Sequence, residues 1–537
     1  AEERFVMDMP QGAKTQNIKG KVYVFIDTPF WNADKQRGEH KRHYIGKLQN
    51  GAFIPNGKYL LANVQSNMSP ELVSVTACKR SFYGATYLLD QIGKKLGITA
   101  DLKAAFPKNY KKIMSLCYFL VLEEGLSAYR FRKWGLTHTH PYNKDLSSQR
   151  ISDLFASIQE ANKMEFFRRQ AKRRSEKEFL AYDTSSISSY SKLIKMAKYG
   201  KNKAGDRLPQ INLALLYGEI SRLPVYYRRL AGNTADVSTL INLLKDIGFL
   251  NMEKLNFVMD RGFFSEKNIN ELMKYHHKFL IGVRCNLKIV RKHLDEIRGE
   301  LVSWKNYHDD IGLYAAHFTE AWDYQEKRPR SGEIVKGKRR VYIHIYFNDQ
   351  RCTDERLSFA KHLHQLQEEL VTGNTREEHT SEYARYFEGS DTPKHSRKVV
   401  PKEAAIKAKQ KNFGYFALMS NGIKDPVEAI KVYRTRDLVE KAYTNLKERL
   451  DMRRMSVASD EHFEGKLFIQ FVSLIYLSYI KYQMEKHGLY KNDTMQTLLD
   501  DLDIIELYHQ PGKNSHLSEI TKKQRGLFDA MEIDVPA

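Results

Sequence analysis

Cysteine is scarce in this chain of 537 residues: Cys78, Cys117, Cys285 and Cys352 are its four, far apart and without a Cys-x-x-Cys pair. That excludes a zinc ribbon or a disulfide framework and fits a reducing cytoplasm. Acidic residues are also in deficit, 65 against 87 Lys and Arg, for a formal charge of +22. A polyanion is the natural partner, and the basic residues run through the whole chain instead of gathering in one tail, which favours a long track over one anchoring patch. Long hydrophobic runs are lacking as well. The most apolar stretch, Leu467 to Ile480, is broken by Gln470, Ser473 and Ser478, so we expect a buried helix and no membrane partner. The first residues, Ala1-Glu2-Glu3-Arg4, do not follow the basic-then-apolar order of a leader. No internal repeat or low-complexity tract stands out, and 42% hydrophobic with 28% charged residues is an ordinary folded composition. At about 100 to 200 residues per domain, three or four structural units are expected.

What is present changes period along the chain. Lys21 to Asp27 alternates as a strand, a basic segment follows from Lys35 to Lys47, and Asn50-Gly51 reads as a turn. Apolar spacing is helical from Ser81 to Ala171 and ends in the basic group Arg168, Arg169, Lys172, Arg173 and Arg174. Strands are then expected at Phe179–Asp183, Gln210–Tyr217, Leu223–Tyr227 and Leu255–Asp260, with a helix opening at Gly232 to Asp236 through capping Asn and Asp residues. A helix from Ser265 and a strand at Lys278–Val283 complete the order of a ribonuclease-H-like core. From Asn286 to Lys411 come strand-like pieces (Tyr314–Phe318, Val341–Phe347), a basic loop (Arg328, Arg330, Lys336, Lys338, Arg339, Arg340) and a charged helix from Asp354 to about Leu370. These read as an inserted module. Phe413–Ser420 returns as a strand, and one long helix is expected from Pro426 to about Leu450, with Pro tolerated in its first turn.

Asp183 and Asp260 both fall at the ends of apolar strands, where neighbouring tips can converge. Two converging carboxylates repel unless a cation lies between them, so with a third they form a plausible Mg²⁺ or Mn²⁺ site. Either Asp alone reads as readily as a cap or turn former. On the late helix, Tyr433, Arg436, Glu440 and Lys447 stand at offsets of 3, 7 and 14 residues. At about 100° and 1.5 Å per residue they share one stripe roughly 21 Å long, which suits several nucleotides of backbone. A solvated helix face is the plain alternative.

These residues carry a resemblance. Tyr433-x2-Arg436-x3-Glu440-x6-Lys447 resembles the YREK signature of the insertion-sequence-4 superfamily of DDE transposases. Tyr182-Asp183-Thr184-Ser185-Ser186 is similar to the segment around that family's first catalytic Asp, and Met259-Asp260-Arg261-Gly262-Phe263 to the segment around its second. Gly232-Asn233 with Asp236 matches a further family element, and Arg42 to Lys47 resembles the insertion-sequence-1634-like members.

The resemblance implies an α/β fold: a ribonuclease-H-like core interrupted by a largely β insertion, with an N-terminal β-containing arm and a helical DNA-binding region. The divisions expected are an arm at 1–80, a helical DNA-binding or dimerisation region at 81–175, core at 176–285, insertion at 286–411, core again at 412–485 and a C-terminal helical region at 486–537. It implies that Asp183, Asp260 and Glu440 are catalytic and hold two divalent ions, Mg²⁺ or Mn²⁺. Tyr433, Arg436 and Lys447 would grip phosphates, with Arg261 assisting. Trp304 and Trp322 are the candidates for stacking a flipped base, against the alternative that each is core. The expected partners are double-stranded DNA, as terminal inverted repeats and target, and a second copy of the chain on that DNA. The setting is cytoplasmic, at the nucleoid. Two rivals remain: a ribonuclease-H-like nuclease or resolvase that cleaves without joining, and a transposase-derived DNA-binding protein without catalysis.

Overall fold

The structure, a computed structural model, describes residues 8–32, 35, 37–60, 79–174, 178–189, 194–200, 208–250, 254–327, 333–392, 395–450, 452, 454–455, 459–509 and 514–537. The chain divides into two compact units, residues 1–81 with 506–518, and residues 82–505 with 519–537.

The first unit is built on an antiparallel sheet of β1 (Lys14–Ile18), β2 (Lys21–Asn32), β3 (Arg37–Gln49) and β4 (Ala52–Pro55), in that order. Tight two-residue turns join β1 to β2 and β3 to β4: Lys19-Gly20 and Asn50-Gly51 each place both residues at positive φ, the geometry whose twist matches a hairpin. Val24, Ile45 and Phe53 form its core. A further strand, β5 (Lys79–Phe82), belongs to a small sheet with Glu506–His509 and His516–Leu517. There the Arg80 guanidinium binds the Glu506 carboxylate at 2.7 and 3.1 Å.

The second unit opens with the expected helices, Gly84–Lys95, Ile98–Ala105, Tyr110–Leu122, Phe131–Thr137, Ser148–Ala156 and Glu160–Arg174. They gather around the helix Asp460–Lys486, of which every residue from Leu467 to Ile480 is buried. Two of its polar interruptions donate to backbone: Ser473 Oγ to the Ile469 carbonyl at 2.9 Å, and Gln470 Nε2 to the Leu450 carbonyl. Gly465 lies against the Phe155 backbone, where a Cβ would collide. Length and composition alone would let this helix cross a membrane, but 89% of its most apolar window is buried within the protein, as in a core helix. Cys117, Cys285 and Cys352 are free thiols, and Cys78 lies outside the described residues.

Beside the helices stands a ten-stranded mixed sheet. Its strands are β6 (Phe179–Ser189), β7 (Gln210–Gly218), β8 (Pro224–Ala231), β9 (Asn256–Met259), β10 (Lys278–Val283), β11 (Tyr307–His308), β12 (Leu313–Lys327), β13 (Ile334–Phe347), β16 (Tyr415–Ser420) and the short β17 (Arg454–Met455). A separate hairpin is formed by β14 (Phe387–Thr392) and β15 (His395–Pro401). The order across the large sheet is β11-β12-β13-β16-β10-β9-β6-β7-β8, with β17 against β6. Strands β6, β9 and β10 run parallel, while β7, β8, β16, β13 and β12 pair antiparallel. All nine residues of β7 are buried, in keeping with its near-continuous apolar run.

Several elements depart from the sequence expectation. Strands β6, β12 and β13 are longer than expected: β6 runs past Asp183 to Ser189, its ladder with β7 keeping Asp183 within the strand instead of at its end, and Lys336, Lys338, Arg339 and Arg340 lie within β13 instead of a loop. Cross-strand pairs of the β12–β13 ribbon explain the latter: Arg339 sits opposite Trp322 and lays its guanidinium over the Tyr324 ring at 5.1 Å. Arg328 and Arg330 lie outside the described residues. The charged helix runs Asp349–Thr372. The helix after Gly232 begins at Asp236, and its cap, Ala235, offers no side-chain hydrogen bond. Asp236 instead accepts from Thr184 Oγ1 at 2.5 Å. The long helix expected from Pro426 is two, Pro426–Arg434 and Asp437–Glu448, with a turn at Thr435-Arg436.

Candidate active site

Register brings the two aspartates together. Strands β6 and β9 are parallel neighbours whose last common pair is Tyr182 with Met259. Asp183 and Asp260 each follow by one residue, so their backbones leave adjacent strand positions about 4.8 Å apart. Asp260 caps the short turn Arg261–Phe263, its Oδ1 accepting from the Arg261 amide at 2.6 Å. Phe263 is buried beneath, its ring centroid 5.0 Å from that of Tyr182. The loop that carries one aspartate is thereby packed against the strand that carries the other.

The turn between the two late helices aims their side chains. Through it the backbone tightens to three-residue hydrogen bonds, from Thr435 to Val432, Arg436 to Tyr433, Leu438 to Thr435 and Val439 to Arg436. Thr435 Oγ1 donates back to the Val432 carbonyl at 2.6 Å, competing with the regular ladder. In such a turn side chains three apart eclipse, so Tyr433 and Arg436 point the same way. Both reach Asp260: Tyr433 donates to Oδ1 at 3.3 Å, and Arg436 Nη1 lies 2.8 Å from it. Arg436 Nη2 also donates to Glu440 Oε1 at 3.2 Å. Gly282 on β10 makes room, since a Cβ there would stand 2.9 Å from the Tyr433 hydroxyl and 3.0 Å from the Arg261 nitrogen.

Glu440 and Asp260 are open to solvent, with 55% and 47% of their side chains exposed, while Arg436 is only 19% exposed. Burial opposes the charge on Arg436, but Tyr433, Asp260, Glu440 and Asp183, in that order, outweigh it and raise its pKa. One guanidinium thus feels all three carboxylates. Burial, reinforced by Asp260, pushes the Tyr433 phenol up to about 12 against the opposing pull of Arg436.

Tyr443, which sequence reasoning missed, fastens this helix to the sheet. Its buried hydroxyl lies 2.8 Å from the carbonyls of both Asp183 and Leu213. It follows Glu440 by three residues, but its apolar neighbours make it read as ordinary core. Lys447 lies half-buried in the last turn of the same helix, about 10 Å along the axis from Glu440. Arg261 is exposed beside Asp260. The tryptophans differ: Trp304 is 81% exposed, whereas Trp322 is buried, donates through Nε1 to Asn270 at 2.9 Å and meets the edge of Phe264.

Among the described residues, no group of three or more His, Cys, Asp or Glu is gathered closely enough to hold a metal ion. Arg436 stands between Asp260 and Glu440. The donor set nevertheless fits a hard divalent cation, because it consists of carboxylate oxygens on neighbouring strands, Asp183 within β6 and Asp260 just past β9, and on the late helix.

The family described as Transposase DDE domain matches residues 174–476, and the chain belongs to it. Comparison with curated proteins gives no match. Among solved structures, the chain is similar to the piggyBac transposase synaptic complex with hairpin DNA, determined by cryo-EM, at 11% identity and a TM-score of 0.34, covering 83% of this chain and 75% of that one.

Proposed function

We propose that this transposase cleaves the ends of a bacterial insertion sequence and joins the freed 3′-OH to target DNA, using Asp183, Asp260 and Glu440 as its catalytic carboxylates. The observation that carries the reading is the meeting of Asp260 with Arg436, Glu440 and Tyr433, beside Asp183 on the neighbouring strand β6. The three carboxylates would hold Mg²⁺ or Mn²⁺, two ions, which when bound activate the attacking oxygen and neutralise charge on the departing one. Arg436 withdraws from the acidic pair to a phosphate oxygen as DNA arrives, its charge-assisted bonds orienting the strand without reading its sequence. Tyr433 and Lys447 grip the backbone on either side, and Arg261 lies close enough to Asp260 to assist.

The same reading places the chain in the insertion-sequence-4 superfamily. Tyr433, Arg436, Glu440 and Lys447 are its YREK residues, and the strand block β8-β7-β6-β9-β10 is its ribonuclease-H-like core. Residues 286–411 are then the insertion, whose exposed Trp304 is the better placed of the two tryptophans to stack a base. The helical region at 81–175 binds the terminal inverted repeats, and two copies act together on DNA at the nucleoid in the cytoplasm.

A strand-transfer assay tests this directly. Incubated with Mg²⁺, pre-cleaved element ends and a supercoiled target plasmid, the protein should covalently join ends to target. Cleavage without joined product would make it a nuclease of related fold.

A further inference from the structure

The N-terminal sheet has two unlike faces. One carries Val24 into the core with Ile45 and Phe53. The register of β1, β2 and β3 puts Tyr23 beside Gln16 and Lys47, Phe25 beside Lys14 and Tyr44, Asp27 beside Arg42, Pro29 beside His40 and Trp31 beside Gly38. Directly paired residues share a face, so the second face alternates rings with cations along the β2–β3 ribbon.

Phe25 is buried beneath Arg42, and the rest of this face is largely open and organised. Trp31 is 68% exposed, and Tyr44 is exposed with its ring edge-on to Tyr23 at 6.2 Å. Arg42 lies over the Phe25 ring at 4.9 Å, and both Arg42 and the Tyr44 hydroxyl donate to Gln16 Oε1 at 3.1 Å. Asp27 is shared between Lys14 and Arg42 at 3.4 and 3.5 Å, so it offsets only one of them. A groove of about 490 Å³ runs beside the rings, lined by Ile18, Tyr23, Tyr44, Lys47, Ile54 and Pro55. Its floor depends on Gly46, where a Cβ would meet Phe53 at 2.6 Å and Pro55 at 2.8 Å.

We propose that this face is a platform for unpaired DNA nucleotides, such as those laid bare beside a cut end. The inference rests on the transposase reading for its choice of nucleic acid. A duplex presents only phosphates and sugars to a flat surface, which would leave an apolar, ring-lined groove unused. A single strand offers both parts: its phosphates meet Lys14, Arg42 and Lys47, and its bases stack on Tyr44, Tyr23 and Trp31, a combination that binds strands with little sequence preference.

The test uses the full-length protein and a fluorescein-labelled single-stranded oligonucleotide of mixed sequence, read by anisotropy in EDTA so that no cleavage occurs. Tyr44→Ala combined with Lys47→Glu should weaken binding by about tenfold or more, given roughly 1–3 kcal/mol for each stacked base. Trp31→Ala, at a site too exposed to affect folding, should weaken it about threefold or more, with circular dichroism and thermal unfolding unchanged. Duplex binding should fall less in each case. Unchanged single-strand affinity in both variants would overturn the proposal, and so would a changed oligomeric state with unchanged affinity, which would make the face an interface between copies. Plasmid cleavage with Mg²⁺ is followed in the same Trp31 variant, so a failure of the catalytic assignment is seen separately from a failure of the platform.

Discussion

Arg436 holds Asp260 at 2.8 Å with one guanidinium nitrogen and Glu440 at 3.2 Å with the other. A cation therefore already stands between two of the carboxylates proposed to bind metal, and it must give way before a divalent ion enters. Replacing it by Ala should relieve that competition and raise the apparent affinity for Mn²⁺. The same change removes charge-assisted bonds worth about 1.5–3 kcal/mol, so DNA cleavage should fall by roughly 10- to 100-fold. Titration of Mn²⁺ beside a cleavage assay reads both. A fall in metal affinity would show that Arg436 supports the ions instead of competing with them.

Tyr443 joins the Glu440 helix to Asp183 through one hydroxyl. Tyr443→Phe keeps the ring but removes the one proton that the two carbonyls share, at a cost of about 1–3 kcal/mol. Loosening the helix should also reduce cleavage more than DNA binding. Denaturant unfolding and a comparison of kcat with end affinity check this; equal loss of both would point to general destabilisation.

The two tryptophans should separate cleanly. Trp322→Ala removes a buried ring and its bond to Asn270, which should cost roughly 3–5 kcal/mol. Trp304→Ala should leave the unfolding midpoint unchanged and lower the yield of cleaved ends, if that ring receives a base. Unaltered cleavage in the Trp304 variant would remove it from the DNA path.

Two buried histidines set an acid limit on the large sheet. Burial lowers His277, with His276 adding to the effect, and lowers His344 against the opposing bond to the Ile423 carbonyl; both fall to about 4. His277 accepts from the Leu255 amide through Nδ1 at 3.1 Å, and His344 Nε2 lies 3.1 Å from the Ile423 carbonyl. Between the unfolded value near 6.5 and about 4 the unfolded chain binds more protons, so stability is lost as pH falls through that window. The loss should be on the order of 3 kcal/mol for each histidine by pH 4. Urea midpoints at pH 7, 5 and 4 would show it, and His344→Gln should flatten part of the slope.

How far these features could be read from sequence depends on how local their causes are. Asp260 follows the end of an apolar strand, and the turn at Asn50-Gly51 is written in its two residues, so each was legible, whereas β6 runs on from Asp183 to Ser189 through a polar Thr-Ser-Ser run that does not read as a strand. The break at Thr435-Arg436 was not, because both residues suit a helix and the tightening arises from backbone bonds that no composition announces. The joining of β12 and β13 to the main sheet was likewise hidden, since alternating strands do not name their partners. Tyr443 escaped for a related reason: a tyrosine among apolar neighbours reads as packing until the carbonyls it meets are seen.

The most direct test is calorimetric titration of Mn²⁺ into the parent protein bound to element-end DNA and into Asp183→Asn, Asp260→Asn and Glu440→Gln, with cleavage followed in the same samples. Each variant should lose metal binding and cut at least about a thousandfold more slowly, as expected when a group acting as part of a unit is removed, while still binding the ends. Metal binding and cleavage at parental levels in any one of the three would contradict the shared site.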